Sequence, residues 1–362
     1  MLPEHARGHN RSLVLQTLYR AGHQSRADIA RTTGLTRVTV SDLVADLIAE
    51  GYLIETGQRE GSRPGKPAIL LDMDRTAFQI VGIDLSAHDA FRGAVLDLDG
   101  TILRRAELAI DGRRGADAAA LALDLTGTLL SQTTAPVLGI GVGSPGVVDL
   151  AGTVLRAPNL GWESEPLHDA FSARFGLPVV VANDANAAAL AEHGFGGAEG
   201  DLMLVRIGHG VGAGLLIGGV LLFGGAFSAG EIGHVVVGTD GGDLCACGKA
   251  GCLETWLATP RLEAQLSSAD PSGRIDILTE AGKRLGIALA PVVGALGLSE
   301  IVLSGPAELI GGTFVDSAFE TIRRRTSLEL HGDLTLRMTA LGDDIVMRGA
   351  AVMVLSAGLG VS

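Results

Sequence analysis

Apolar and polar positions in the first seventy residues alternate at helical spacing. Leu13, Leu15, Leu18 and Tyr19 recur with roughly that period from Asn10 onward, and Gly22 ends the run, which predicts a first helix. Ser25-Arg26-Ala27-Asp28 has the form of a capping box, so a second helix starts there and continues through Ile29 and Ala30. Thr33-Gly34-Leu35 makes a tight turn. A third helix is predicted from Thr36 to Glu50, with Val40, Leu43, Val44, Leu47 and Ile48 forming one apolar stripe. Beyond Gly51, residues 52–55 read as a strand, 57–65 as a loop and 67–71 as a returning strand.

A helix, a glycine turn and a second helix with polar residues at its start suit DNA reading, because side chains in that first turn reach base edges in the major groove. The third helix offers Thr36, Arg37, Thr39 and Ser41 for that task. Its later Asp42, Asp46 and Glu50 would repel phosphates, so only the first turn is expected to insert. The strand pair forms a wing carrying Arg59, Arg63 and Lys66, an extended basic run that suits a narrow minor groove. The competing reading is a small three-helix protein-interaction module with a solvated basic loop.

From residue 78 the pattern changes to alternating strand-like and helix-like segments, an α/β architecture. Residues 78–85, 91–98 and 101–109 predict three consecutive strands, with Asp99-Gly100 as a hairpin turn. A helix over 116–133 and a strand over 137–142 follow. The theme returns at 202–207, 212–217 and 220–223, which suggests two similar halves with a cleft between them.

Composition narrows the class. The chain has 362 residues, ample for two or three domains, and 47% of them are hydrophobic, which excludes disorder. The most apolar stretch, 211–225, is too short to span a bilayer and holds six glycines. With no basic-then-apolar pattern at its start, the chain is expected to be cytoplasmic. The net charge of −13 is uneven: residues 1–72 carry +1 and the remainder −14, so one segment can approach a polyanion that the rest repels.

All three cysteines, Cys245, Cys247 and Cys252, fall within eight residues, an odd and crowded set that cannot be a disulfide framework. With His234 they supply four ligands, a closed tetrahedral set that matches structural zinc and leaves no position for an activated water. Three reduced core cysteines are the alternative. Asn183-Asp184 follows an apolar strand over 178–181 and precedes an alanine-rich helix, at the strand end where open α/β sheets bind ligands. Read alone, Asp184 is also a candidate helix N-cap.

Five blocks carry a resemblance: Gly141 to Asp149, Asn183 to Ala188, Gly208 to Gly214, Glu231-Ile232-Gly233-His234, and the cysteine block Cys245 to Glu254. Together and in this order they resemble the ROK family of bacterial repressors, open reading frames and sugar kinases. The resemblance implies a two-lobed actin-like, ribonuclease-H-like body, here behind a winged helix-turn-helix. The expected division is 1–75 for the DNA-binding domain, 76–190 for the first lobe and 191–362 for the second. The resemblance also implies structural zinc in the cysteine block, and a sugar site of Asn183, Asp184, Glu231, His234 and Glu254, with Asn159 as a further candidate. In the kinases Asp184 would be the general base.

The phosphate loops depart from the active members. An Asp-x-Gly-Gly-Thr loop is replaced by Asp84-Leu85-Ser86-Ala87-His88, and Gly-Thr-Gly by Gly208-His209-Gly210. Each altered loop removes backbone amides or a small hydroxyl that would hold ATP phosphates, and one such loss costs about 10²–10³-fold in rate. Negligible phosphorylation is therefore expected, with Asp184 kept as a sugar ligand. The reading is a carbohydrate-responsive repressor that binds operator DNA as a homodimer or homotetramer. Two rivals stand beside it: an ATP-dependent sugar kinase with a fused DNA-binding head, and a DNA-binding protein that answers to a protein partner.

Overall fold

The computed structural model describes residues 3–58, 67–238, 241–327 and 334–361. The head comprises α1 (Pro3–Ala21), β1 (Gln24–Ser25), α2 (Arg26–Thr33), α3 (Arg37–Ala49), β2 (Leu53–Gln58) and β3 (Ile69–Met73). Helix α2 begins with the capping box that the sequence signals: Ser25 Oγ accepts from the Asp28 amide at 3.2 Å, and Asp28 Oδ2 accepts from the Ser25 amide at 3.1 Å. Gly34 closes α2 in the left-handed region (φ 73°), where a side chain would be strained.

Helix α1 starts at Pro3 rather than near Asn10. Its first turns carry no apolar stripe; they are tied to α3 by Arg7 on Asp46 and by Arg11, which donates to Glu50 Oε1 at 2.7 Å. Asp46 of α3 and Glu50 at its C-cap are thus neutralised by α1. Strand β2 extends to Gln58, further than predicted, through an irregularity between Glu55 and Gly57. The two-residue β1, absent from the prediction, pairs with β3 and makes the wing a three-stranded sheet.

The body holds two five-stranded sheets of the same plan. The first contains β4 (Gln79–Asp84), β5 (Ala90–Leu96), β6 (Ile102–Ala109), then, after α4 (Ala116–Leu130), β7 (Val137–Ser144). A small sheet of β8 (Val147–Val148), β9 (Val154–Ala157) and β10 (Trp162–Glu165) follows, then α5 (Leu167–Phe175), β11 (Val179–Asn183) and α6 (Asp184–Phe195). The first sheet has the order β11-β7-β4-β5-β6. The second is made by β12 (Leu202–Ile207), β13 (Val211–Ile217), β14 (Val220–Leu221), β15 (Glu300–Ser304) and β16 (Thr335–Met338), ordered β14-β13-β12-β15-β16. In each, three antiparallel strands are extended by two parallel ones, so the expected repetition of halves is present. Helices α7 (Glu254–Leu257), α8 (Thr259–Ser267), α9 (Pro271–Leu296), α10 (Ala307–Ile310) and α11 (Thr313–Arg325) belong to the second half.

The last helix, α12 (Ile345–Leu359), packs back onto β4 and β7 of the first sheet. Glycine permits that approach: a Cβ on Gly82 would lie 2.6 Å from the Met347 carbonyl oxygen, and one on Gly141 would overlap the Ala350 carbonyl. The same helix reaches the head. Leu355 and Leu359 share one apolar core with Val14, Leu15 and Leu18 of α1 and with Val40, Leu43 and Leu47 of α3. Tyr52 stacks on Phe78 at 4.5 Å, and the Tyr19 hydroxyl donates to the Leu98 carbonyl at 2.9 Å. The head is packed against the body by these contacts. Among the described residues, no helix is long and apolar enough to cross a membrane.

Candidate functional site

The β11–α6 junction places two candidate residues. Asn183 is the N-cap of α6: its Oδ1 accepts from the amides of Ala185 (2.9 Å) and Asn186 (3.1 Å), while Nδ2 donates to the Gly146 carbonyl (2.8 Å) and Asp184 Oδ1 (3.0 Å). An amide side chain offers two acceptor and two donor positions, and all four are engaged. Asn183 therefore orients Asp184, and Asp184 itself is the first helical residue rather than the cap.

The other oxygen of Asp184 accepts from the Arg206 guanidinium on β12. Nη2 of the same arginine lies 3.9 Å from Asp84 Oδ2 at the end of β4, and Asp84 accepts from the Ser86 amide at 2.8 Å. Burial pushes the Asp184 carboxyl up, against the pull of Arg206. Glu231 is raised too, first by burial, with Asp184 and Glu254 adding repulsion against the opposing pull of His234. Glu254, the first residue of α7, accepts from the Val211 amide at 3.2 Å. The structure thus brings Asp184, Glu231, Glu254 and His234 into one electrostatic neighbourhood, which can offer paired acceptors to vicinal hydroxyls. Asn159 stays exposed on the turn between β9 and β10.

The loops after β4 and β12, where the expected phosphate-loop motifs are altered, meet through two histidines. The rings of His88, after β4, and His209, after β12, stack with centroids 4.3 Å apart and planes within 7°. Burial, then the neighbouring His88, lowers the His209 pKa. Two imidazoles thus fill the space between these two loops.

His234, Cys245, Cys247 and Cys252 form a cluster whose ligand atoms all lie within 4.8 Å of one another, so it can hold a metal ion. His234 Nδ1 is 3.5 Å from Cys245 Sγ, and the Cys247 and Cys252 sulfurs are 3.6 Å apart. A tetrahedral zinc with Zn–S of about 2.3 Å separates its sulfurs by roughly 3.8 Å, so the donor set fits. Gly248, with φ 89°, turns the chain back so that the Cys245 amide donates to the Lys249 carbonyl at 2.8 Å. Without a cation, burial first and the neighbouring thiols next push Cys252 up to about 12. The second nitrogen of His234 faces Glu231 at 3.8 Å, which links the cluster to the acidic neighbourhood.

In the head, Thr36 is the N-cap of α3 and accepts from the Thr39 amide at 3.2 Å, and the two hydroxyls are 2.9 Å apart. Arg37 and Ser41 are exposed and free to approach DNA. Between them Val38 is 71% exposed, an apolar side chain on a surface that burial does not explain. Arg59, Arg63 and Lys66 lie outside the described residues.

Sequence reasoning missed Arg206, Val38 and the meeting of His88 with His209. The first had a visible signal, a single charge within the apolar strand Leu202-Met203-Leu204-Val205-Arg206-Ile207.

Residues 80–357 match the ROK family model, and residues 9–64 match the MarR family model. A xylose repressor of Caldicellulosiruptor bescii is 31% identical, covering 96% of this chain and 95% of the relative. A glucokinase of Streptomyces coelicolor is 36% identical over 56% of this chain and 64% of its own. The crystal structure of a ROK family transcriptional regulator, a homolog of the E. coli MLC protein, superposes with a TM-score of 0.86 at 26% identity, covering 98% of each chain. A ROK family glucokinase from Streptomyces griseus, solved with glucose and AMPPNP, gives 0.65 at 28% identity over 76% of this chain and 98% of its own. The full-length likeness is to regulators, the kinases match the body, and the chain belongs to the ROK family.

Proposed function

We propose that this protein is a sugar-responsive transcriptional repressor: the winged helix holds an operator, and a carbohydrate at the Asp184–Glu231–Glu254 cluster changes its affinity. The observation that carries the reading is the union in one chain of a winged helix with the acidic cluster of Asp184, Glu231 and Glu254, beside which His88 and His209 stack in the two loops that depart from the kinase motifs. Its full-length likeness to xylose repressors supports the same reading.

Asp184, Glu231, His234 and Glu254 would contact the sugar, with Asn183 holding Asp184 in place and Asn159 at the rim. The His-Cys cluster would hold structural zinc, which braces the strand-poor segment bearing Glu231 and Glu254 and does no chemistry on the ligand. Residues 1–75 would read DNA, 76–190 and 191–362 would form the lobes, and the protein would act in the cytoplasm as a homodimer or homotetramer. Two heads on half-sites one helical turn apart make operator affinity sensitive to a small change in their spacing.

A thermal-shift screen over pentoses, hexoses and amino sugars, followed by operator binding with and without the best hit, tests the proposal. A sugar that raises the melting temperature and changes operator affinity is expected. If no sugar does either and a purified protein does, the partner-responsive reading replaces it. Retained Asp184 and the glucokinase likeness favour a kinase as the second reading. ATP-dependent turnover that Asp184→Asn abolishes would establish it.

A further inference from the structure

Arg206 is an isolated cation in an apolar strand, and its guanidinium reaches from the second sheet to two carboxylates at the strand ends of the first. Its side chain is 23% exposed, that of Asp184 15% and that of Asp84 5%, so the three charges are largely withdrawn from water. Charges so placed are tolerated when paired and hydrogen-bonded; one left alone is expelled, neutralised or destabilising. Asp184 begins α6 at the sugar cluster, and Asp84 begins the altered phosphate loop. The arginine stands between them, within ion-pair reach of both carboxylates.

We propose that Arg206 is a positioning residue that holds Asp184 as a fixed anionic acceptor for effector hydroxyls. A carboxylate already accepting from a guanidinium is a poorer proton acceptor, and a guanidinium does not give up its proton. The side chain that strengthens Asp184 as a ligand therefore disables it as a base. This deepens the proposed function, since it rests on Asp184 lying in the sugar site.

Three further ionisable groups act on the Asp184–Arg206 pair. Asp84 from β4 and Glu231 from the segment before His234 face Asp184 with like charge; Arg206 from β12 opposes them; Asp343, in the turn before α12, acts on Arg206. Removing the arginine leaves burial and the neighbouring carboxylates opposed chiefly by the Ala185 amide. The folded-state pKa of Asp184 then rises further above its unfolded value. A raised carboxyl costs stability where it must be charged, and the cost fades as pH falls through the folded pKa.

The test needs no effector. Melting temperatures of the ligand-free full chain are measured from pH 8 to pH 5 for wild type, Arg206→Gln, Arg206→Lys, and Arg206→Gln combined with Asp184→Asn. Arg206→Gln is expected to melt at least about 5 °C below wild type at pH 8, with the gap at least halved at pH 5. Arg206→Lys should restore most of the loss, and the double variant should lose the pH dependence of the gap. A gap equal at all pH values, or unaffected by Asp184→Asn, overturns the proposal. Should Arg206→Gln not fold, carbon NMR of labelled aspartate in the wild type decides: the signal missing from Asp184→Asn must report an ionised carboxyl at pH 7, and a protonated one overturns it. Binding of D-xylose and D-glucose is measured alongside. An intact pH signature with no binding of either separates failure of the sugar reading from failure of the Arg206 assignment.

Discussion

Gly349 of α12 crosses α6 where the carbonyl of Ala187 occupies the space that a side chain would need. Helix α6 starts at Asp184, and α12 ends against α1, where Leu355 and Leu359 join the core of the head and Gln16 donates to the Gly360 carbonyl. The two helices are thus a continuous packed route from Asp184 to the DNA-binding head. A Cβ at Gly349 must push backbone apart. Gly349→Ala is expected to cost about 1–3 kcal/mol, read as a fall of several degrees in melting temperature. In the folded fraction, the change in operator affinity on adding sugar should shrink. A variant as stable and as responsive as wild type would remove this crossing from the route.

The metal cluster yields a second expectation. Cys247 is exposed, while Cys245 and Cys252 are buried, so a chelator reaches the cluster from the Cys247 side. Zinc content near one per chain is expected by elemental analysis, with Cys247→Ser falling well below it. Binding that favours the folded state stabilises by mass action. Metal removal should therefore lower the melting temperature and weaken sugar binding through Glu231 and Glu254, and protein that is metal-free after metal-replete expression would count against the site.

A third expectation concerns pH. Arg105 on β6 pairs with Asp344 at the start of α12 and holds its carboxyl below the usual range. A depressed carboxyl contributes stability above its unfolded pKa, about 3.9, and loses it as pH falls through the folded value. Because Arg105 is more than half exposed, screening limits the contribution to about 1 kcal/mol or less. Urea unfolding of Arg105→Ala against wild type should show a small gap at pH 7 that narrows as pH falls below about 3.9. A gap of constant size from pH 7 down to the lowest pH at which both proteins fold would assign the loss to packing.

Sequence pattern was most legible where a local device fixes structure. Ser25 with Asp28, Gly34, and the stripe from Val40 to Leu47 each act within a few residues, and the head helices follow them. The repetition of one sheet plan in two halves was suggested by the recurring strand theme, and the clustered cysteines with His234 announced a ligand set that folding brings together. Contacts made by distant residues were less legible. The first turns of α1 are held by Arg7 and Arg11 against α3, a charge match 39 residues away that carries no periodicity. Arg206 reads as a lone charge in a strand until the fold brings Asp184 and Asp84 to it. Likewise the return of α12 to the first sheet depends on Gly82 and Gly141, whose purpose appears only with the helix against them.

Val38 supplies the sharpest expectation for DNA. It sits beside Arg37 in the first turn of α3 and is exposed, whereas the Thr36 and Thr39 hydroxyls face each other at the cap. An apolar side chain in the major groove reads the C5-methyl of thymine, and an arginine pairs with guanine O6 and N7. Arg37→Ala should therefore weaken operator binding by about 1–3 kcal/mol and relax preference at one base pair, while Arg63→Ala should weaken all sequences alike and lower the salt dependence. For Val38 the reagent is the DNA itself: replacing each operator thymine in turn by deoxyuridine removes only the methyl. One position per half-site should lose a few-fold in affinity for the wild type and nothing for Val38→Ala, because the contact is gone from both sides of the comparison. If every uracil substitution is tolerated equally by both proteins, Val38 does not read a base, and its exposure belongs to some other surface of the head.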